Sequence, residues 1–126
     1  MTHSASVTML RIVSILTLLT GSALVLALAT PLVHGFNLFV DLAFLPLDSS
    51  QSLNSESGAL TTANSGGMMS GFAVLVYQVT CHVYSKDAAL GRRLLIPALL
   101  TWFILDGLGS LAAGAWFNVV MNTGFL

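Results

Sequence analysis

Three stretches of the chain are almost entirely apolar, and each is long enough to cross a lipid bilayer as a helix. A bilayer core of about 30 Å takes roughly 20 apolar residues in α-helical form. The only charged residue within the three stretches is Asp106. The pattern predicts spans at about 12–33, 66–85 and 94–114.

The last apolar stretch, residues 94–126, is too long for one straight crossing, because a helix of that length would measure about 50 Å. We therefore expect a short C-terminal helix at about 116–126, which re-enters the membrane or lies along its surface. Backbone polar groups in lipid must be paired within the chain, which favours helices. The predicted fold is one all-α integral membrane domain, 1–126: a small bundle of three to four transmembrane helices with an outer interfacial segment.

The composition indicates that lipid, rather than water, surrounds most of the chain. Of its 126 residues, 56% are hydrophobic and only 7% are charged, and the mean hydropathy is +0.89. Soluble domains carry about 25% charged residues. The net charge of −1 provides no basic surface for nucleic acid. The one cysteine, Cys81, excludes an internal disulfide and a cysteine-based zinc site.

The basic residues predict the orientation of the chain, since Lys and Arg concentrate on the inner side of membranes. Arg11 precedes the first span, and Lys86, Arg92 and Arg93 lie between the second and third spans. The segment 35–65 contains no Lys or Arg. The N-terminus and the 86–93 loop are therefore predicted to lie inside, in what we expect is a prokaryotic cytoplasmic membrane.

The N-terminal region allows a second interpretation, in which Arg11 and the apolar run form a signal peptide cleaved after Ala27–Ala29. Pro31 lies two residues past that cleavage position and disfavours cleavage. We expect an uncleaved helix.

The outer segment, 35–65, divides into an apolar part and a polar part. Residues 35–47 carry apolar side chains at helical spacing and predict an interfacial helix that ends near Pro46. Residues 48–65 are rich in Ser, Asn and Thr, which predicts a loop. A segment of this composition is ordered only when something holds it, and we expect a partner protein to do so.

The second span carries small residues and one amide on a shared face. Gly67 and Gly71 form a Gly-x-x-x-Gly pair, and Gln78 lies near the same line of the helix. Glycines let helix backbones approach closely, and a buried amide can bond across the contact. Close packing is one explanation for this face, and a polar pathway is the other.

The third span carries a ridge of polar and small residues. Because the loop before it is short, spans two and three should be antiparallel neighbours. Asp106, about 20 Å beyond Arg93, should then face span two near Gly71, and Gln78 should lie near Thr101. The ridge comprises Thr101, Asp106, Ser110, Gly114, Asn118 and Asn122.

A carboxylate at the bilayer centre costs about 2.5–3.5 kcal/mol unless it is turned toward protein, bonded or protonated. Three hypotheses account for Asp106. It is a structural anchor, or the cap of a new helix after a break at Gly107. It is a proton or ion relay. It contacts a partner subunit or a ligand.

No arrangement of residues in the sequence is typical of an active site or a metal cluster. His34 and His82 should lie at different membrane depths, so they cannot ligate one haem together. The sequence identifies no cofactor.

These features favour an accessory, non-catalytic subunit of a larger membrane complex, for example an energy-transducing one, with a structural or assembly role. Its expected partners are the lipid bilayer and other membrane subunits. The alternatives are a small homo-oligomeric transporter or channel that uses Asp106, and a membrane enzyme or ligand-binding protein.

Overall fold

The computed structural model describes residues 2–53 and 55–125, and every regular element within them is helical. A π-helical turn, Thr80–Tyr84, extends the third helix, and a 3-10 turn, Thr123–Phe125, follows the last one. The α-helices are α1 (His3–Ala27), α2 (Val33–Phe44), α3 (Glu56–Val79), α4 (Ala88–Ala112) and α5 (Trp116–Asn122).

The helices α1 and α3 form the most extensive pair and run antiparallel. At one end the ring of His3 packs edge-on against Tyr84, with centroids 5.0 Å apart. Further along, a Cβ atom added to Gly66 would lie 2.7 Å from the carbonyl oxygen of Gly21. Because these distances leave no room for a side chain, the glycines allow the two backbones to touch.

The helix α4 contacts the α1–α3 pair near the start of α4. Gly91 packs against Tyr84, and Leu95 is buried in one apolar cluster with Val7 and Val76. Beyond this cluster α4 makes little contact with α3, and its far end packs against α5, which also contacts α2. The expectation that spans two and three are close neighbours along their length is therefore wrong, because α1 occupies the packing face of α3.

The predicted boundaries of the first two long helices differ from those observed. The helix α1 starts at His3 rather than near residue 12, since the hydroxyl of Thr2 accepts a hydrogen bond from Ala5 N. It ends at Ala27, before a turn that contains Pro31.

Residues 56–65 of the polar segment are also helical, which corrects the prediction of a loop through residue 65. The hydroxyl of Ser55 accepts a hydrogen bond from Gly58 N at 3.0 Å and caps α3. Glu56 lies in the first turn, where a negative charge is favoured by the helix dipole. Thr62 is buried, which extends the packed part of α3 beyond the apolar run.

The prediction of an interfacial helix followed by Pro46 is confirmed in its helical part, because α2 ends at Phe44. A short helix after residue 115 is confirmed as α5. The helix α4 continues through Asp106 and Gly107 to Ala112, so Asp106 does not cap a new helix.

Within residues 2–53 and 55–125, two helices, α1 and α4, are long and apolar enough to cross a membrane by length and composition. The same criterion is met by signal sequences and by core helices of soluble proteins. Only 11% of the most apolar window of each helix is buried, however, whereas a core helix is mostly covered. The helix α3 does not meet the criterion, because Ser, Thr, Asn and Gly fill much of its first half.

The arrangement places the start of α1 and the start of α4 at the same end of the molecule, since His3 contacts Tyr84 and Gly91 packs beside it. The predicted loop 86–93 is therefore mostly the first turns of α4. The helix α2 and the segment after it lie at the opposite end of α1.

Candidate functional site

The polar groups of the C-terminal hairpin converge on Asp106, which is half-buried on α4. The amide nitrogen of Asn118 donates to Asp106 Oδ2 at 3.2 Å and to Ser110 Oγ at 2.8 Å. The amide of Asn122 donates to the same carboxylate oxygen at 2.5 Å. One carboxylate thus accepts from two amides of the neighbouring helix.

Local sequence explains this geometry. Gly114 adopts a φ of +83°, a conformation that favours glycine, and it lets the chain reverse between α4 and α5. Asp106 and Ser110 are four residues apart on α4, and Asn118 and Asn122 are four apart on α5. Residues at this spacing share a helix face, so the two pairs meet across the hairpin.

Gln78 and Thr101 do not join this site. Both side chains are exposed, and neither forms a side-chain hydrogen bond within residues 2–53 and 55–125. The expected contact between them is wrong because α4 diverges from α3. The structure brings together Asp106, Ser110 and Asn118 of the predicted residues, and adds Asn122 from the same ridge.

The glycines predicted to mediate helix packing do not do so within this chain. A Cβ atom at Gly67, Gly71 or Gly114 would meet no heavy atom within 4 Å. Gly21 and Gly66 make the close contacts instead. The face of α3 that carries Gly66 is turned toward α1, and the face that carries Gly67 is not.

Several hydroxyl groups along α1, α3 and the π-helical turn bond within their own helix. Ser14, Ser70 and Thr80 each donate to the carbonyl oxygen four residues earlier, at 2.7–2.8 Å. Among the described residues, no side-chain hydrogen bond joins α1 to α3. Close packing of their backbones holds the two helices together, and their hydroxyl groups form no continuous polar path within the described residues.

A second polar site lies at the other end of α1, where the segment after α2 folds back. The backbone N–H of Ser49 donates to Asp41 Oδ2 at 3.0 Å, and that of Leu53 donates to Asn37 Oδ1 at 3.0 Å. Asp41 is only 3% exposed. Side chains of α2 therefore hold this segment, which removes the reason for expecting a partner protein to do so.

Sequence reasoning missed the roles of Asn37 and Asp41. Their spacing of four residues on an otherwise apolar helix was the available signal, since it places two hydrogen-bond acceptors on one face.

Asp48 lies on the same returning segment and is fully exposed. Hydrogen bonds from the side chain and the backbone N–H of Ser50 hold the pKa of Asp48 below its ordinary value. Asp48 therefore carries its negative charge close to the second polar site.

The chemistry available to these sites is that of oxygen and amide groups. Within the described part of the chain, no three His, Cys, Asp or Glu side chains lie close enough to hold a metal ion. His34 and His82 are both exposed.

Comparisons with known proteins leave the chain without a relative from which a role could be carried over. No family model matches it, and no curated protein and no solved structure is similar to it. Functional inference therefore depends on the geometry of the chain itself.

Proposed function

We propose that this chain is an integral membrane protein that acts as an accessory, non-catalytic subunit of a larger membrane complex. The observation that carries the proposal is the uncovered apolar surface of α1 and α4. Leu16 and Leu19 on α1 are 57% and 59% exposed, and Leu105 and Leu108 on α4 are 64% and 61% exposed. Side chains of this kind need lipid or other apolar helices around them.

The open side of α3 supports an assembly role. Gly67 and Gly71 present bare backbone on this side, and Met68 beside them is 76% exposed. Small residues of this type are enriched where membrane helices approach one another. A helix from another subunit is a fitting neighbour for this surface.

The bonding of Asp106 supports a structural anchor rather than a relay. Two asparagine amides donate to Oδ2 of its carboxylate, and among the described residues no side-chain hydrogen bond links it to Gln78 or Thr101. These bonds lower the cost of placing an acid within an apolar helix. The same hydrogen bonds are sufficient for Asp106 to hold α5 against α4.

Gentle extraction from the native membrane, followed by native mass spectrometry, tests the assembly role. We expect a heteromeric particle that contains this chain and larger subunits. A small homo-oligomer would contradict the proposal and favour a transporter or channel that uses Asp106.

Cysteine labelling in sealed cells tests membrane insertion and orientation, with Cys81 replaced by Ser. If the N-terminus is inside, an impermeant maleimide should label Ser50→Cys and leave Ala89→Cys unlabelled, although both side chains are exposed. Labelling of Ala89→Cys alone would reverse the orientation. Equal labelling of both variants would contradict the proposed topology.

A further inference from the structure

The second polar site includes a pocket of about 300 Å³ between α2 and the segment that folds back over it. Polar side chains make up most of its lining, and α2 contributes Asn37, Leu38 and Asp41. The returning segment contributes Ser49, Gln51 and Ser52, and His34 completes the lining.

The carboxylate of Asp41 has an unmet requirement in this pocket. Its Oδ2 accepts from Ser49 N, but its Oδ1 is buried and has no hydrogen-bond partner among the described residues. Burying a carboxylate oxygen without a donor is costly, because water is removed and no bond replaces it. No Lys or Arg occurs between Gly35 and Ser65 to neutralise it.

The lining distinguishes between two kinds of cation. A divalent metal ion such as Ca²⁺ takes six to eight oxygen ligands and usually several carboxylates, and the described residues contain no cluster of three or more metal-ligating side chains. A primary ammonium group needs one carboxylate and two further acceptors for its three N–H donors. Gln51 and Ser49 carry suitable oxygens in the same pocket.

We propose that this pocket binds a primary ammonium group, with the carboxylate of Asp41 as its counter-charge. The site does not depend on the accessory role proposed above. Asp41 Oδ1 is covered, so a ligand N–H reaches it when the segment 49–52 moves slightly outward. Backbone hydrogen bonds at Ser49 and Leu53 tie that segment to α2, and they report on the movement.

Two sources present this chemistry: a free small amine, and the headgroup of phosphatidylethanolamine. The pocket adjoins Leu38 and Phe39 of α2, which are 62% and 54% exposed and suit the membrane surface. The shared recognition element is the ammonium group, and the experiment separates its sources.

The test uses the full chain in nanodiscs and follows the backbone amide signals of Ser49 and Leu53 by NMR. Ethanolamine is titrated at pH 8. We expect saturable shifts with ethanolamine and none with ethylene glycol, which has a similar size but no charge. This ligand comparison depends on no variant.

Asp41→Asn removes the charge and should weaken ethanolamine binding about tenfold or more, which is the usual consequence of removing one partner of a desolvated charge pair. Glu56→Gln is the matched control, because it removes one negative charge outside the pocket and should leave affinity within about twofold. Retained Ser49 and Leu53 signals in Asp41→Asn would show that the segment is still folded.

Nanodiscs of phosphatidylethanolamine and of phosphatidylcholine distinguish the source. If the lipid headgroup is the occupant, ethanolamine binding should be weaker in phosphatidylethanolamine, whereas equal affinity in both lipids would assign the site to a free amine. Ethylene glycol binding as tightly as ethanolamine, unchanged affinity in Asp41→Asn, or no saturable shift in either lipid would overturn the proposal.

Discussion

The α1–α3 pair and the α4–α5 hairpin associate by different means. The first pair relies on backbone contact at Gly21 and Gly66, with no side-chain hydrogen bond between the helices among the described residues. The hairpin relies on amides that bond to Asp106 and leaves the glycine of its turn uncrowded. Close backbone packing is disrupted by a larger side chain, whereas a hydrogen-bonded contact is disrupted by loss of a polar group. The two regions should therefore respond to opposite kinds of substitution.

Gly66→Val should have the largest effect. The new Cβ would lie 2.7 Å from Gly21 O and from a methyl carbon of Val25. Because the backbone cannot move aside as a side chain can, we expect the free energy of unfolding to fall by about 3 kcal/mol, the upper end for overpacking. Thermal unfolding in detergent, followed by circular dichroism, measures the change.

Gly67→Val is the matched control, because a Cβ there meets nothing within 4 Å. It makes the same chemical change one residue along the same helix. Equal stability of the Gly66 and Gly67 variants would show that close backbone contact does not hold α1 to α3.

Asp106→Leu should have the next largest effect. It leaves the amide of Asn122 without its acceptor and removes one of the two acceptors of Asn118, which should cost about 1–2 kcal/mol. The fluorescence of Trp116, at the start of α5, should report loosening of the hairpin before the rest of the chain unfolds.

Asp106→Asn distinguishes an anchor from a relay, because an amide oxygen can still accept these bonds. An anchor predicts a folded hairpin with little loss of stability. Loss of proton- or ion-linked flux in vesicles, with the fold intact, would instead support the relay hypothesis.

Ser55→Ala should have a smaller, local effect at the start of α3. Loss of its bond to Gly58 N removes an N-cap and should cost about 1 kcal/mol. Hydrogen exchange in the first turns of α3 measures the change, and Ser65→Ala, at an exposed position within the helix, is the control. If exchange is unaffected, contact with α1 alone maintains this part of the helix.

Asn37→Ala should have the smallest effect on the whole chain. The substitution removes the side-chain oxygen that accepts a hydrogen bond from Leu53 N. Hydrogen exchange of that amide should accelerate roughly fivefold, which corresponds to a free energy of about 1 kcal/mol. Global stability should change little. The neighbouring exposed Leu38→Ala should not alter exchange at Leu53, and equal acceleration in both variants would contradict the proposed bond.

The existence of the helices was predictable from the sequence, but their contacts were not. Apolar runs indicated α1, α4 and the short α2 and α5, because composition and spacing are local properties. The choice between Gly66 and Gly67 is a rotation of about 100° around α3. Only the position of α1 decides it, and no local pattern records that position.

The polar sites show the same division. The sequence shows the four-residue spacing of polar residues on each side of Gly114. It did not show that these residues bond to one another, because the turn at Gly114 is what packs α5 against α4. The role of Asp41 could not be predicted from the sequence. The segment that covers Asp41 is held through backbone N–H groups of Ser49 and Leu53. Backbone donors have no signature in side-chain composition.

The wide sequence separation of Gly21 and Gly66 has a consequence for biosynthesis. The ribosome completes α1, α2 and the segment after them before α3 emerges, so α1 must wait without its partner. During that interval the surface of α1 around Gly21, which α3 later covers, is open to a neighbouring helix. A chain interrupted after α2 therefore presents an adhesive surface, whereas the α4–α5 hairpin, whose partners are adjacent in sequence, closes as soon as it is made.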